Sequence, residues 1–156
     1  MRYIKYHLKD NGADEYIPAL ICTTIMLIIS AIVICVVSTV NTRLWLDEKL
    51  DDISEIIETT GWLDSESLIA IEDKIESRLG GTVSFTGSII RETGAEGRHY
   101  VQLNEAVTVN YHNTDFTAVS VGGFKISTDI NLSKKAVSTN YIRGLTEYTV
   151  LETYEH

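Results

Sequence analysis

From Ile17 to Val40 the chain runs for 24 residues without a charged side chain, and 13 of those positions are Ile, Leu or Val. At ~1.5 Å per residue a helix of that length reaches ~36 Å, against a hydrocarbon core of ~30 Å. The segment predicts a membrane-spanning helix with modest tilt. Of 156 residues, roughly 115 remain beyond the span, enough for one small domain with one core. A buried core helix is the first alternative, and a domain this small cannot enclose it. A cleaved secretory signal is the second. It calls for an apolar stretch of roughly 7–15 residues closed by a small-x-small site, whereas this run is longer and only Val36 and Ser38 approximate such a site. A lipoprotein signal fits less well, because Ile21 precedes Cys22 and Ile34 precedes Cys35 where a small residue belongs.

Lysine and arginine near the ends of the span set its orientation. Arg2, Lys5, Lys9 and the α-amine precede it; Arg43 and Lys49 follow. This bias predicts a single-pass cell-membrane protein with residues 1–16 as a cytoplasmic leader and residues 41–156 as an extracytoplasmic head. The leader's bases are balanced by Asp10, Asp14 and Glu15, so the formal net charge of −9 belongs to the head. Most of it lies between Asn41 and Leu79, where 11 acidic residues face 4 basic ones. Such a surface repels nucleic acid and anionic headgroups and suits a protein or cationic partner, although a solvated helix face explains it equally well. Cys22 and Cys35 both lie in the apolar run, so no disulfide staples the head, and on one helix they stand too far apart to pair with each other.

The fold class predicted is α+β. Leu46, Leu50, Ile53 and Ile57 continue beyond the span as one apolar stripe, with Asp47, Glu48, Asp51, Asp52, Glu55 and Glu58 opposite. A helix is therefore expected over about 41–60, continuous with the span, with Gly61 as its C-cap and Pro18 in its first turn. Asp64 or Ser65 caps a second helix over about 64–79, whose stripe is Leu68, Ile71, Ile75 and Leu79 and whose end is Gly80-Gly81. Trp62 and Leu63 stand ready to pack back on it. After Gly81 the apolar period changes to two, in Val83 and Phe85, then Val101, Leu103, Val107, Val109 and Tyr111, then Phe124, Ile126, Ile130 and Leu132. Strands of an antiparallel sheet are expected over about 82–154, separated by turns at Gly94 to Gly97, His112 to Asp115 and Gly122-Gly123, with residues 145–154 as a last strand or a tail. The helical stripes are the natural cover for one face of that sheet.

Little in the sequence points to catalysis. His99, His112 and His156 share no short-range motif for a metal, no G-x-S-x-G or S-x-x-K marks a nucleophile, and no phosphate-binding loop is present. No enzyme activity, metal or cofactor is expected. Asp51-Asp52 and Glu72-Asp73 diverge by about 100° as helix neighbours and read as solvated surface. Trp62 and Tyr141 read as core or membrane-interface aromatics. Asp14, Glu15 and Tyr16 stand where the chain enters lipid, and a carboxylate there costs several kcal/mol unless neutralised or paired. Glu15 either snorkels to the interface or pairs with a cation on a neighbouring chain.

A short basic leader ending in Gly12, then Ala13-Asp14-Glu15-Tyr16, then a long apolar helix running into an α+β head, resembles the type IV pilin-like proteins, and among them the TadE-like pseudopilins, minor pilins of tight-adherence pilus systems. The resemblance is clearest over the leader and span and extends more weakly through Gly61 to Leu68. It implies cleavage by a prepilin peptidase between Gly12 and Ala13, and an assembly contact through Glu15 and Tyr16, the family's Glu-Tyr pair by type. Glu15 would be the third residue of the mature chain, where the fifth is usual in the family. The partners implied are the membrane, other pilin-like subunits, pilus-assembly machinery and the peptidase. Without the resemblance, the residues describe an uncleaved single-pass anchor whose exported head binds a protein partner or the cell wall.

Overall fold

Leu46, Leu50, Ile53 and Ile57 are all completely buried, at the spacings of four, three and four that place them on one helix face. The structure is a computed structural model that describes residues 11–93, 97–121, 123–143 and 147–156, without the side chains of 11–15, 121 and 124. Helix α1 spans Asn11–Thr60, and the chain divides into two units, Met1–Val37 and Ser38–His156. Because α1 starts at Asn11, Pro18 lies inside the helix, past the first turn expected for it. Its ring leaves one backbone bond unmade there.

The first unit is described by α1 alone. It carries one helix long and apolar enough to cross a membrane, with none of its most apolar stretch buried, which is the opposite of a core helix. The hydroxyls in this stretch are satisfied within the helix. Thr23 and Thr24 donate to the Leu20 carbonyl at 2.9 and 2.8 Å, and Ser30 donates to Met26 at 2.8 Å. Back-bonding of this kind removes the cost of taking a hydroxyl into lipid.

The second unit is an α+β head. Helix α2, Glu66–Leu79, is capped by Ser65, whose side chain accepts from the Leu68 amide, and ends at Gly80 in the left-handed region. Five strands follow: β1 Thr82–Glu92, β2 His99–Tyr100, β3 Ala106–Val121, β4 Phe124–Val137 and β5 Tyr148–Glu155. Every pairing is antiparallel. Ser84 pairs with Asn110 of β3 and Glu155 of β5, and Ile90 with Tyr100 of β2 and Val150 of β5. A residue has only two edges, so β5 lies along one side of β1 while β3 and then β2 occupy the other. Across the sheet the strands therefore run β5, β1, β3, β4. Gly87, at φ +153°, carries the bulge that shifts the β1–β5 register, and a Cβ there would meet the Ala106 carbonyl oxygen at 2.5 Å.

One face of this sheet meets the helices. Val83, Phe85 and Ile89 of β1, Val107, Val109 and Tyr111 of β3, and Ile130 and Ala136 of β4 form one cluster with the α1 stripe, Leu63, Leu68 and Ile75. Gly61 caps α1 as its sequence position indicates, at φ +70°, with its amide bonded to the Ile57 carbonyl at 2.9 Å. Two further open carbonyls of that end are closed from far along the chain. Thr139 donates to Glu58 through its amide at 2.9 Å and its hydroxyl at 2.6 Å, and the Asn140 side chain donates to Thr60 at 2.8 Å.

Two local expectations fail. His112 to Asp115 is not a turn, because β3 runs straight through it to Val121 and the pairing with β4 only shifts register between Asn113 and Phe116. Asn113 spends its turn-forming side chain on a bulge. Its Nδ2 donates to the Leu79 carbonyl at 2.7 Å and its Oδ1 accepts from the Asp115 amide at 2.9 Å. Leu103, expected in a strand, lies exposed in the turn before β3, where the Glu105 amide bonds back to the Gln102 carbonyl at 2.9 Å.

Candidate functional site

Asp64 stands immediately before the cap of α2, and two distant parts of the chain converge on its carboxylate. From β2 it receives the His99 backbone amide and the His99 ring, whose Nδ1 is 3.2 Å from both oxygens. From β5 the Tyr154 hydroxyl donates to it at 2.7 Å. The His156 ring lies at ion-pair distance, Nε2 to Oδ1 3.5 Å, and its other nitrogen reaches Glu72 Oε2 on α2 at 2.8 Å. Rings of Tyr154 and His99 stack with centroids 3.8 Å apart. The result is a short chain of charge, Asp64 to His156 to Glu72, that ties β5 and β2 to α2.

Electrostatics follow from this packing. Burial pushes the Asp64 carboxyl up, but the donors from His156, Tyr154 and His99 outweigh it and hold the group well below the usual carboxylate range. His156 is pushed up to about 9 by its contacts with Asp64 and Glu72, so at neutral pH it is an imidazolium between two carboxyl groups. Burial raises Glu72, partly offset by His156. Both Glu72 oxygens are buried without an aligned hydrogen-bond donor, so the His156 contact acts as an ion pair and not as a directed bond. Burial, and then the bond to Asp64, raise the Tyr154 hydroxyl above its ordinary range.

The sequence treats these histidines as isolated and Glu72 as solvated; the fold brings His99 and His156 onto one carboxylate and buries Glu72 to 8 % exposure. Sequence separations of 35 and 90 residues to His99 and Tyr154 leave no local motif to find. The only sequence-level hint is Asp64 itself, since a carboxylate beside a helix cap invites a donor. Beside the cluster is a hollow of about 310 Å³ lined by Glu72, Asp73, Glu76, Thr82, Glu155 and His156. The polar tips of the cluster are directed at one another, so its geometry is that of a latch holding β5 in place.

No protein family, no curated protein and no solved structure matches this chain. Of the residues singled out in the sequence, Gly12, Ala13 and Glu15 fall in α1, but their side chains lie outside the described residues. Tyr16 is the first described side chain and is 75 % exposed. Asp51 and Asp52 are surface groups; Asp51 and Asp47 hold Lys134 of β4 at 2.9 and 3.0 Å, and Asp52 pairs with Lys49. Trp62 is 39 % exposed and sits edge-on to Tyr100, centroids 5.6 Å apart, while Tyr141 is exposed.

The apolar half of α1 is the other candidate surface. From Tyr16 to Val40, 15 large apolar side chains are exposed on every side of the helix. At about 2 kcal/mol per side chain, leaving them in water would cost on the order of 30 kcal/mol. Lipid tails or other helices remove that cost.

Proposed function

We propose that this protein is a membrane-anchored, pseudopilin-like structural subunit of a Tad-type pilus or a related secretion or conjugation apparatus, with its N-terminus in the cytoplasm and its head outside. The observation that carries the reading is the division of α1. Apolar side chains cover the helix on all sides up to Val40, while from Leu46 to Ile57 a single stripe is buried in the head's own core. One helix thus serves as membrane element and as part of the exported domain, the arrangement that the leader and span resemble. Lateral packing between subunits uses the first stretch, with Glu15 and Tyr16 as the contact at its cytoplasmic end.

The intact mass of the chain recovered from its native membrane tests this directly. A chain beginning at Ala13 supports prepilin-peptidase processing after Gly12. A chain that still begins at Met1 favours the permanent anchor whose head binds a protein partner or the cell wall, and a chain beginning beyond Ser38 means the span was a signal and removes both readings. In the processed case Glu15→Ala is expected to abolish recovery of the protein in assembled fibres or complexes while leaving membrane insertion intact. Unchanged assembly would exclude Glu15 from the mechanism.

A further inference from the structure

Among the described residues, β4 pairs only with β3 and β5 only with β1, so the sheet ends in two open edges. Open edges invite pairing with another strand, and proteins commonly blunt them with proline, bulges or charge. Neither edge contains proline, and their charges differ in sign. β5 carries Glu152 and Glu155 and no base; β4 carries Lys125, Lys134 and Lys135 against Asp129. We propose that heads of this protein assemble side by side into one continuous sheet, the β4 edge of one copy pairing with the β5 edge of the next.

Strand direction fits this occupant. β5 and β3 both run against β1, and β4 runs against β3, so β4 and β5 are antiparallel to each other. A copy displaced along the sheet and turned with its twist therefore presents its β5 antiparallel to the first copy's β4 and extends the pattern already present. Four strands at about 4.8 Å make that step about 19 Å.

Register and charge agree with it as well. Lys135, Thr108, Thr86 and Thr153 lie on one row across the sheet. Lys135 points away from the core, since Ala136 is buried and Lys134 turns to the α1 acids. The displacement sets Thr153 of the next copy beside Lys135, with Glu155 on the diagonal, a distance of about 7–8 Å at which opposite charges attract. Two β4 edges would instead bring together two strands of net positive charge, and two β5 edges two strands whose only charges are glutamates. Like charge of this kind selects against both symmetric dimers.

The inference concerns the head's edges alone and holds whether or not residues 1–12 are removed. It is tested on the full chain in phosphatidylcholine vesicles, with Cys22→Ala and Cys35→Ala removing the native thiols. Adjacent antiparallel strands bring paired Cα atoms to about 4.5–5.5 Å, within disulfide range. Chains carrying both Lys135→Cys and Thr153→Cys are expected to give, on mild oxidation, a ladder of dimers, trimers and higher species, while either substitution alone leaves monomer. Ser133→Cys or Asn131→Cys combined with Thr153→Cys covers a register one or two rows away. Absence of a ladder from all three pairs overturns the proposal, as does a dimer from a single substitution, which would mean like edges meet. In native membranes, Thr153→Cys trapped on a different protein instead of on this chain also overturns it, because the β5 edge would then serve another partner.

Discussion

The His156 latch makes stability fall with rising pH, and His156→Gln should abolish that fall. In the folded head His156 is raised from 6.5 to about 9 by Asp64 and Glu72. A group with a raised folded-state pKa contributes stability that is complete below about 6.5 and disappears as pH rises through about 9. The shift corresponds to about 3 kcal/mol. A ring that keeps part of its surface in water retains less of this, and about 2 kcal/mol is the working figure. At about 4 °C per kcal/mol for a domain of this size, the melting temperature should fall by about 8 °C between pH 6 and pH 9.5. Neighbouring groups do not mask the effect. Asp64, being lowered, contributes stability lost only in strong acid; Tyr100, Tyr111 and Tyr154 are raised above 10, and Lys49 and Lys134 above 10.5. Glu72 acts in the same direction as His156, because a buried carboxylate becomes more costly once its cation is lost. The assay is a fluorescence melt of the full chain in detergent, followed through Trp62 on Tyr100 and Trp45 beneath Arg78. The His156→Gln variant should start lower and stay flat across this range. An equal fall in both proteins would refute the latch, since the titrating group would then lie elsewhere.

Two further substitutions probe the frame around it. Ile53→Ala removes a fully buried side chain from the α1 stripe and should destabilise the head by about 2–5 kcal/mol in chemical denaturation, without changing membrane insertion. Gly81→Ala forces an alanine to φ +78° with its Cβ 2.6 Å from the His112 carbonyl oxygen, and should cost about 1–3 kcal/mol in the same measurement.

What could be foreseen divides along the range of the interactions. The α1 stripe, the Gly61 and Ser65 caps, and the alternation of Val107, Val109 and Tyr111 are local patterns, and each reappears in the fold. His112 to Asp115 was misleading because asparagine and aspartate favour turns and bulges by the same side-chain bonds, and only the β4 partner decides between them. The Asp64 cluster was illegible for a different reason. Its members come from a helix cap and two strands, and no spacing rule connects residues that meet only after the sheet has formed.

The placement of β5 beside β1 has a consequence in time. Ser84 finds its β5 partner, Glu155, 71 residues later, and Glu92 waits 56 for Tyr148. Contacts of such long range form late and slowly. While the polypeptide is being made from its N-terminal end, β1 emerges early and its outer side stays unfilled until nearly the whole head has followed. For that interval the nascent head exposes a bare strand to its surroundings, the state in which chains stick to one another. The later the last strand arrives, the longer that exposure lasts.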